Sequence, residues 1–126
     1  MIIHTSAIEG YEPPLPRKGI LKYLVDPEKT GAKSFVMGFT SIEPGTGTVL
    51  AQHPEEEAYY LLRGRARAMV GGEVKEVGPG TVIFIPSNAR HQIDSLGPEP
   101  LEFVWTTSPQ PKRLAPKENW KKIPPA

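Results

Sequence analysis

Polar residues alternate with small or apolar residues in short segments of this chain. The alternation is clearest in Arg65–Val70 and Leu101–Thr107, and a period of two is typical of a strand with one buried face. Other short segments are rich in apolar, β-branched or aromatic residues, which also favour strands. They are Gly19–Val25, Phe35–Thr40, Thr48–His53, Ala58–Leu62, Glu73–Val77, Thr81–Ile85 and His91–Ser95.

Turn residues separate these segments at regular intervals. The chain has 15 Pro and 12 Gly in 126 residues, which disfavours long helices. Roughly eight or nine short strands spaced about ten residues apart predict an all-β sandwich or barrel. The length predicts a single domain over 1–126. We expect residues 1–18 to form an extended proline-rich arm and residues 109–126 a proline-rich, basic tail, with one short helical turn near 117–121.

Composition excludes several function classes. A formal net charge of +1 gives no general attraction to nucleic acid or to anionic lipid. No apolar run approaches the roughly 18 residues that a membrane helix needs, and the first residues lack the pattern of a signal peptide. The absence of cysteine rules out disulfides and thiolate sites. We therefore expect a cytoplasmic protein without nucleic-acid or membrane partners.

Two histidines and one glutamate are candidates for a metal site. Residues an even number apart share a face of a strand, so His53, Glu57, Tyr59 and Leu61 are expected to point into the barrel if the pairing is regular. His91 begins another strand. Two imidazoles and a carboxylate suit Fe(II), Mn(II), Ni(II), Zn(II) or Co(II). The alternative is that the histidines form hydrogen bonds in a polar pocket without metal.

The spacing around these residues resembles the first motif of the cupin superfamily. That motif has Gly, five residues, His-x-His, three or four residues, Glu, six residues and Gly. Here Gly45 is followed after five residues by Ala51, then His53, Glu57 and Gly64 fall at the expected intervals. Ala51 stands where the first histidine of the pair is usual, so one ligand of the family is missing.

A second segment resembles the other cupin motif, which has Gly, five residues, Pro-x-Gly, two residues, His, three residues and Asn. Gly80, Pro86 and His91 are in register, whereas Asn88 replaces the second glycine and Ser95 the final asparagine. Asn tolerates a positive φ better than most residues. The chain is thus identified as a small single-domain cupin (a monocupin of the Cupin_2 type) with a jelly-roll, or double-stranded β-helix, barrel.

The resemblance implies one divalent metal held by His53, Glu57 and His91. The odd offset of Gln52 places it on the opposite face. We expect an enzyme of the dioxygenase, isomerase, epimerase or lyase type that acts on a small polar or carboxylated substrate. Glu57 and Tyr59 are the candidate catalytic residues, and Tyr59 is equally compatible with a role in wall packing. The alternative is a non-catalytic binding or sensor protein with a degenerate metal site.

The arm also suggests an assembly. Residues 1–18 have little to pack against in a lone barrel, and short barrels leave sheet edges that need covering. We therefore expect a homodimer in which the N-terminal segment lies on the sheet of the partner, as the cupin resemblance also implies.

Overall fold

The computed structural model describes residues 1–112 and 120–125 of the chain. The described residues form ten β-strands, a short α-helix and one 3-10 turn at Thr5–Ala7. Every strand pairing is antiparallel. The elements are β1 (Gly10–Glu12), β2 (Gly19–Val25), α1 (Pro27–Thr30), β3 (Val36–Ile42), β4 (Glu56–Arg63), β5 (Ala66–Val70), β6 (Glu73–Val77), β7 (Val82–Ile85), β8 (His91–Ser95), β9 (Leu101–Ser108) and β10 (Lys121–Ile123).

The strands form two sheets that pack into a barrel. The large sheet has the order β10-β1-β2-β3-β9-β4-β7, and the small sheet has the order β6-β5-β8. Isolated bridges from Gly47 to Asp94 and from Ala51 to His91 extend the small sheet beyond β8. The expected all-β jelly-roll architecture is confirmed. No helix in the described residues is long and apolar enough to cross a membrane.

Two apolar clusters hold the barrel together. The larger cluster lies where the inner faces of the two sheets meet, and alternation along β4, β8 and β9 supplies much of it because period two turns every second side chain inward. The smaller cluster lies under β1 and β2. Trp105 packs against both of them. The larger cluster contains Ile42, Leu61, Ala66, Ala68, Ile83, Ile85, Ile93, Leu101 and Phe103, and the smaller contains Tyr11, Leu21, Tyr23 and Val36.

The two ends of the described chain differ from the sequence expectation. Part of the arm is strand β1, which lies in the large sheet between β2 and β10 of the same chain. Tyr11 is buried there, so residues 10–12 do pack against their own barrel. Most of the helical turn expected near 117–121 lies outside the described residues, and Lys121 begins β10 instead. The homodimer stays a prediction.

The segment between β3 and β4 also differs. Thr48–His53 was expected to be a strand, yet only Ala51 makes a bridge within it, and His53 lies in a loop. The polar segment after β2 forms the one-turn helix α1. Asp26 directly precedes this helix, and its side chain accepts a hydrogen bond from the backbone N–H of Lys29 at 2.7 Å. Asp26 is therefore an N-cap.

Positive backbone angles explain part of the motif spacing. Gly64 has φ of 84°, and a Cβ there would lie 2.5 Å from the carbonyl oxygen of Pro100, so only glycine fits. Asn88, at the position where the cupin motif has glycine, has φ of 64°. The prediction that Asn would accept the left-handed conformation is confirmed, and the turn that leads into His91 is kept.

Candidate metal centre

His53, Glu57 and His91 converge at one point in the barrel. The Nε2 atom of His53 lies 3.4 Å from Oε1 of Glu57, and Nε2 of His91 lies 3.6 Å from the same oxygen. The ligand atoms of the three residues all lie within 4.8 Å of one another. Two ligands bound at about 2.1 Å to one ion at a tetrahedral angle are about 3.4 Å apart. The cluster therefore has the dimensions of a three-ligand metal site.

Hydrogen bonds fix the orientation of both imidazole rings. Nδ1 of His53 lies 3.1 Å from the carbonyl oxygen of Glu55, and Nδ1 of His91 lies 3.0 Å from that of Ala89. A carbonyl oxygen only accepts, so Nδ1 carries the proton in each ring, and in the neutral form Nε2 presents a lone pair. Both lone pairs face the Glu57 carboxylate. Three electron-rich groups then face one another, and a cation between them removes their repulsion.

Glu57 is held inside the barrel by its neighbours on the large sheet. It pairs with Ile85 of β7 and Thr107 of β9, and the Thr107 hydroxyl donates to its Oε2 at 3.1 Å. Burial raises the pKa of Glu57 above its ordinary value of 4.5, although His53, the Thr107 hydrogen bond and His91 oppose the shift. A buried carboxylate is costly without a cation, so its surroundings also favour a bound metal.

Backbone hydrogen bonds join the two segments that carry the histidines. The N–H and C=O groups of Ala51 both bond to those of His91 at 2.9 Å, and the Asn88 N–H donates to the carbonyl of His53 at 2.8 Å. The side chain of Gln52 donates to the carbonyl of Asn88 at 2.8 Å. These contacts position His53 although it is not in a strand, which explains why its side chain still reaches the site predicted from strand parity.

Positions 51 and 52 behave as the sequence predicted. Ala51 lines the same cavity as His53 and His91, so a larger side chain at position 51 would project toward the same point. Gln52 is exposed, and its amide bonds to backbone away from the cluster. The structure therefore brings together His53, Glu57 and His91 and leaves Gln52 out.

The cluster opens into a cavity of about 500 Å³, a size typical of small-molecule sites. Aromatic and proline side chains make up much of its wall. Tyr59 lies beside the cluster on β4 and stacks on Phe103 with ring centroids 4.5 Å apart. The lining residues include Pro13, Pro14, Pro16, Arg17, Tyr23, Ala51, His53, Glu55, Glu57, Tyr59, His91, Trp105, Thr107 and Trp120.

Tyr59 is a hydrogen-bond donor rather than a base in this environment. Burial, and secondarily the nearby charge of Glu57, raise the pKa of Tyr59 well above its ordinary 10, while Arg17 opposes the shift. Its hydroxyl therefore keeps its proton at neutral pH. Within the described residues this hydroxyl has no recorded hydrogen bond, which leaves its proton available to a molecule in the cavity.

The sequence did not indicate four residues that form or shape this site. Thr107 follows the alternation of β9, but its contact with Glu57 depends on strand register, which has no local signal. Arg17 and Trp120 reach the cavity from segments expected to be an arm and a tail. Gly38 is the fourth omission, because a Cβ there would lie 2.1 Å from Cζ2 of Trp105. Its missing side chain therefore makes room for a wall residue.

Comparison with solved structures supports the architecture. A predicted oxalate decarboxylase from Thermotoga maritima superposes with a TM-score of 0.73 at 26% identity, covering 86% of this chain and 98% of that one. The polyketide cyclase RemF from Streptomyces resistomycificus has a TM-score of 0.74 at 23% identity, covering 93% of this chain and 88% of that one. At such identity the second likeness concerns the fold alone.

Sequence relatives extend over most of the chain. Polyketide synthase CurC of Streptomyces cyaneus is 32% identical over 111 residues, which are 87% of this chain and 70% of that protein. Tetracenomycin polyketide synthase protein TcmJ of Streptomyces glaucescens is 29% identical over 112 residues, 88% of this chain and 72% of that protein. The Cupin_2 family, described as a cupin domain, matches residues 38–107. This range contains both motifs and all three converging side chains, and the chain belongs to the cupin family.

Proposed function

We propose that this protein is a metal-dependent enzyme that acts on a small polar or carboxylated molecule in the barrel. The observation that carries the proposal is the convergence of two Nε2 lone pairs and one buried carboxylate on the wall of a cavity of about 500 Å³. His53, Glu57 and His91 would hold one divalent transition metal, with open positions left for substrate oxygens or water.

The neighbouring side chains supply the rest of the chemistry. When bound, a divalent ion provides Lewis acidity toward a carbonyl or carboxylate oxygen. The Tyr59 hydroxyl donates a hydrogen bond or proton to a developing negative charge on the substrate. Trp105 and Tyr23, which line the cavity and meet edge to face at 5.9 Å, exclude water from the reacting groups. Glu57 would be ionised in the metal-bound form, because a cation lowers a carboxyl pKa.

The relatives narrow the substrate class. CurC and TcmJ, which match 87% and 88% of this chain, are both named as polyketide synthase proteins. Polyketide chemistry involves molecules rich in carbonyl groups, and two neighbouring carbonyl oxygens suit two open positions on one ion. We therefore favour a carbonyl-rich, planar substrate within the broader class of polar and carboxylated molecules. This substrate class fits an isomerase or lyase that moves protons beside a carbonyl, and it also fits a dioxygenase.

A second function is supported by one specific observation. Ala51 lines the cavity where the family commonly has a histidine, so the site offers one imidazole fewer. A barrel with a weakened metal site suits a protein that binds or senses a small molecule without converting it. The buried Glu57 argues against this second function, because it lies inside the barrel and has a raised pKa.

Metal reconstitution separates these functions. The purified protein is treated with a chelator, reloaded in turn with Zn(II), Fe(II), Mn(II), Ni(II) or Co(II), and assayed for thermal stability and for conversion of oxalate and of the β-diketone benzoylacetone. The proposal predicts stabilisation by at least one ion and metal-dependent consumption of a compound. Stabilisation by a compound without its consumption supports the binding protein. If no ion changes stability, ligand affinity or turnover, the enzyme proposal is overturned.

Location and assembly belong to the same proposal. We propose a cytoplasmic homodimer with no nucleic-acid or membrane partner. Light scattering at tens of micromolar tests the dimer, and a monomer at that concentration would contradict it. The structure supplies one candidate surface, since β4 and the edge strand β7 expose large apolar side chains on their outer faces. These are Tyr60, Leu62, Val82 and Phe84.

A further inference from the structure

Arg17 places a positive charge in the wall of the cavity. It lies in the loop between β1 and β2. Both ends of this loop are held in the large sheet, because Tyr11 pairs with Leu21 and Gly19 pairs with Ile42. Three prolines in this loop restrict its backbone. The loop is therefore anchored, and Arg17 lines the same cavity as the His53–Glu57–His91 cluster.

The guanidinium group of Arg17 is partly buried. It lies over the ring of Trp120, and Tyr59, Tyr23 and Glu57 are close enough to act on its charge. Its Cζ atom lies 5.7 Å from the ring centroid of Trp120, a distance suited to a cation–π contact. Within residues 1–112 and 120–125, no carboxylate forms an ion pair with it. An aromatic ring occupies one face of the group and leaves donors at its edge. Removing such a cation from water is costly unless an anion meets it.

The charges that line the cavity favour an anion of one charge. With a divalent ion in the cluster, the metal and Arg17 contribute three positive charges. Among the described residues, Glu55 and Glu57 are the carboxylates on the cavity wall, and their two negative charges leave one positive charge uncompensated. The rest of the described wall is mainly aromatic or apolar, with Thr48 and Thr107 as neutral polar side chains, so it favours a flat ring over a flexible polar chain.

We infer that Arg17 binds the anionic group of the ligand, and that the ligand is a planar aromatic acid. Its carboxylate, or an equally acidic phenolate, accepts hydrogen bonds from Arg17. Oxygens on the opposite edge of the ring reach toward His53, Glu57 and His91. This inference rests on the proposed function for the metal end of the ligand, whereas the Arg17 end stands on its own contacts. Arg17 is a specificity-determining residue.

A matched pair of compounds tests the inference. Protocatechuate carries a catechol at one edge of its ring and a carboxylate at the other, and methyl protocatechuate keeps the catechol but replaces the carboxylate with an uncharged methyl ester. Calorimetry on the Zn(II)-loaded protein gives both affinities for the wild type, Arg17→Gln, Arg17→Lys and the control Lys18→Gln. Lys18 is exposed and uses its backbone N–H, not its side chain, to contact Thr46.

The wild type is expected to prefer the acid by about tenfold or more, since a hydrogen bond to a charged group contributes on that scale. Arg17→Gln should lose the preference, Arg17→Lys should keep part of it, and Lys18→Gln should keep all of it. If Arg17→Gln retains the preference, or weakens acid and ester equally, Arg17 only braces the loop against Trp120 and the inference is overturned.

A second measurement separates this outcome from failure of the metal site. Benzoate and benzamide differ in charge and lack a metal-chelating edge, so they are titrated against chelator-treated protein. If zinc does not bind but the wild type prefers benzoate and Arg17→Gln does not, the proposed function fails while the role of Arg17 holds. If neither compound pair shows a preference that depends on Arg17, the role of Arg17 fails whatever the metal does.

Discussion

The cavity has a floor and a wall that are built in different ways. The floor is the cluster of His53, Glu57 and His91, and it depends on strands β4 and β8 and on backbone bonds between the two motifs. The wall is the β1–β2 loop with Arg17, together with Trp120 just before β10. The floor has the dimensions of a metal site, whereas the wall carries Arg17, to which we assign the selection of ligands. In our proposal, chemistry and specificity therefore lie on separate parts of the chain.

The largest effect should follow from removing the charge of the floor. Glu57→Gln keeps the size of the side chain but loses an anionic ligand, and we expect metal affinity to fall on the order of a hundredfold or more, with loss of activity. Metal analysis and calorimetry measure this. Glu56→Gln is the matched control, because Glu56 is exposed on the other face of β4. Equal metal content in both variants would place the metal elsewhere.

Substitutions of the two histidines should have similar effects on metal affinity but different effects on stability. His53→Ala and His91→Ala are both expected to lower metal affinity by roughly tenfold or more. His91 is buried in β8, so its loss should also cost the metal-free protein about 1–3 kcal/mol in the free energy of unfolding. Replacement of His53, a half-exposed loop residue, should lower the free energy of unfolding by less. Denaturant titration makes the comparison, with the exposed His4→Ala as control. Unchanged metal content in both variants would show that neither histidine binds the metal.

Tyr59 lies between the floor and the wall, close enough to Glu57 and Arg17 for both to affect its pKa. Tyr59→Phe removes one hydroxyl and keeps the ring that stacks on Phe103. We expect turnover to fall by about tenfold or more, while metal content and stability stay the same. Steady-state kinetics with metal analysis tests this. Full activity in Tyr59→Phe would make Tyr59 a packing residue.

Adding a fourth ligand residue should raise the metal affinity of the floor. Ala51→His places an imidazole at a position that lines the cavity beside His91, and we expect it to raise metal affinity by roughly tenfold because it replaces a water ligand. Competition with a chelator of known affinity measures the change. Ala51→Asn, which offers an amide of smaller reach, is the control. If Ala51→His binds metal no better than the wild type, the side chain at position 51 does not reach the ion.

The smallest effect concerns pH. Burial raises the pKa of Glu57 in the metal-free protein above 4.5. The protonated side chain therefore makes a favourable contribution to the stability of the folded protein, which is fully present below about pH 4.5 and is lost as pH rises through the raised pKa. Metal-free Glu57→Gln has no carboxyl group at this position and does not lose this stability. As pH rises, its melting temperature should therefore increase relative to that of the wild type by a few degrees. Parallel melting curves across this range would show that Glu57 is not desolvated.

The floor was predictable because its residues carry local signals. The intervals from Gly45 to Gly64 and from Gly80 to His91 resemble the cupin motifs, and that resemblance implied the three ligands. The left-handed turn at Asn88 followed from the chemistry of asparagine. Those intervals include turns whose backbone angles favour glycine or asparagine, and such turns are local.

The wall was not predictable for the opposite reason. Arg17 and Trp120 meet across more than one hundred residues, and their contact depends on strands β1 and β10, which are three residues each. Segments of this length have no measurable period, and prolines near β1 favoured an extended arm. Thr107 was missed because its hydrogen bond to Glu57 depends on the register of β4 and β9. Long-range register leaves no trace in the local sequence.

The pairing of Gly10 with Ile123 has a consequence for the order in which the protein is completed during synthesis. A nascent chain emerges from its N-terminal side, so the residues of β2 to β9 can assemble before β10 exists. Contacts between distant residues also form late, because closing a long loop is entropically costly. The barrel with its three ligands can therefore form while the cavity is still open on one side. A nascent chain at that stage already presents the three residues to which we assign a metal, whereas the ligand selection that we propose begins only once β10 is added.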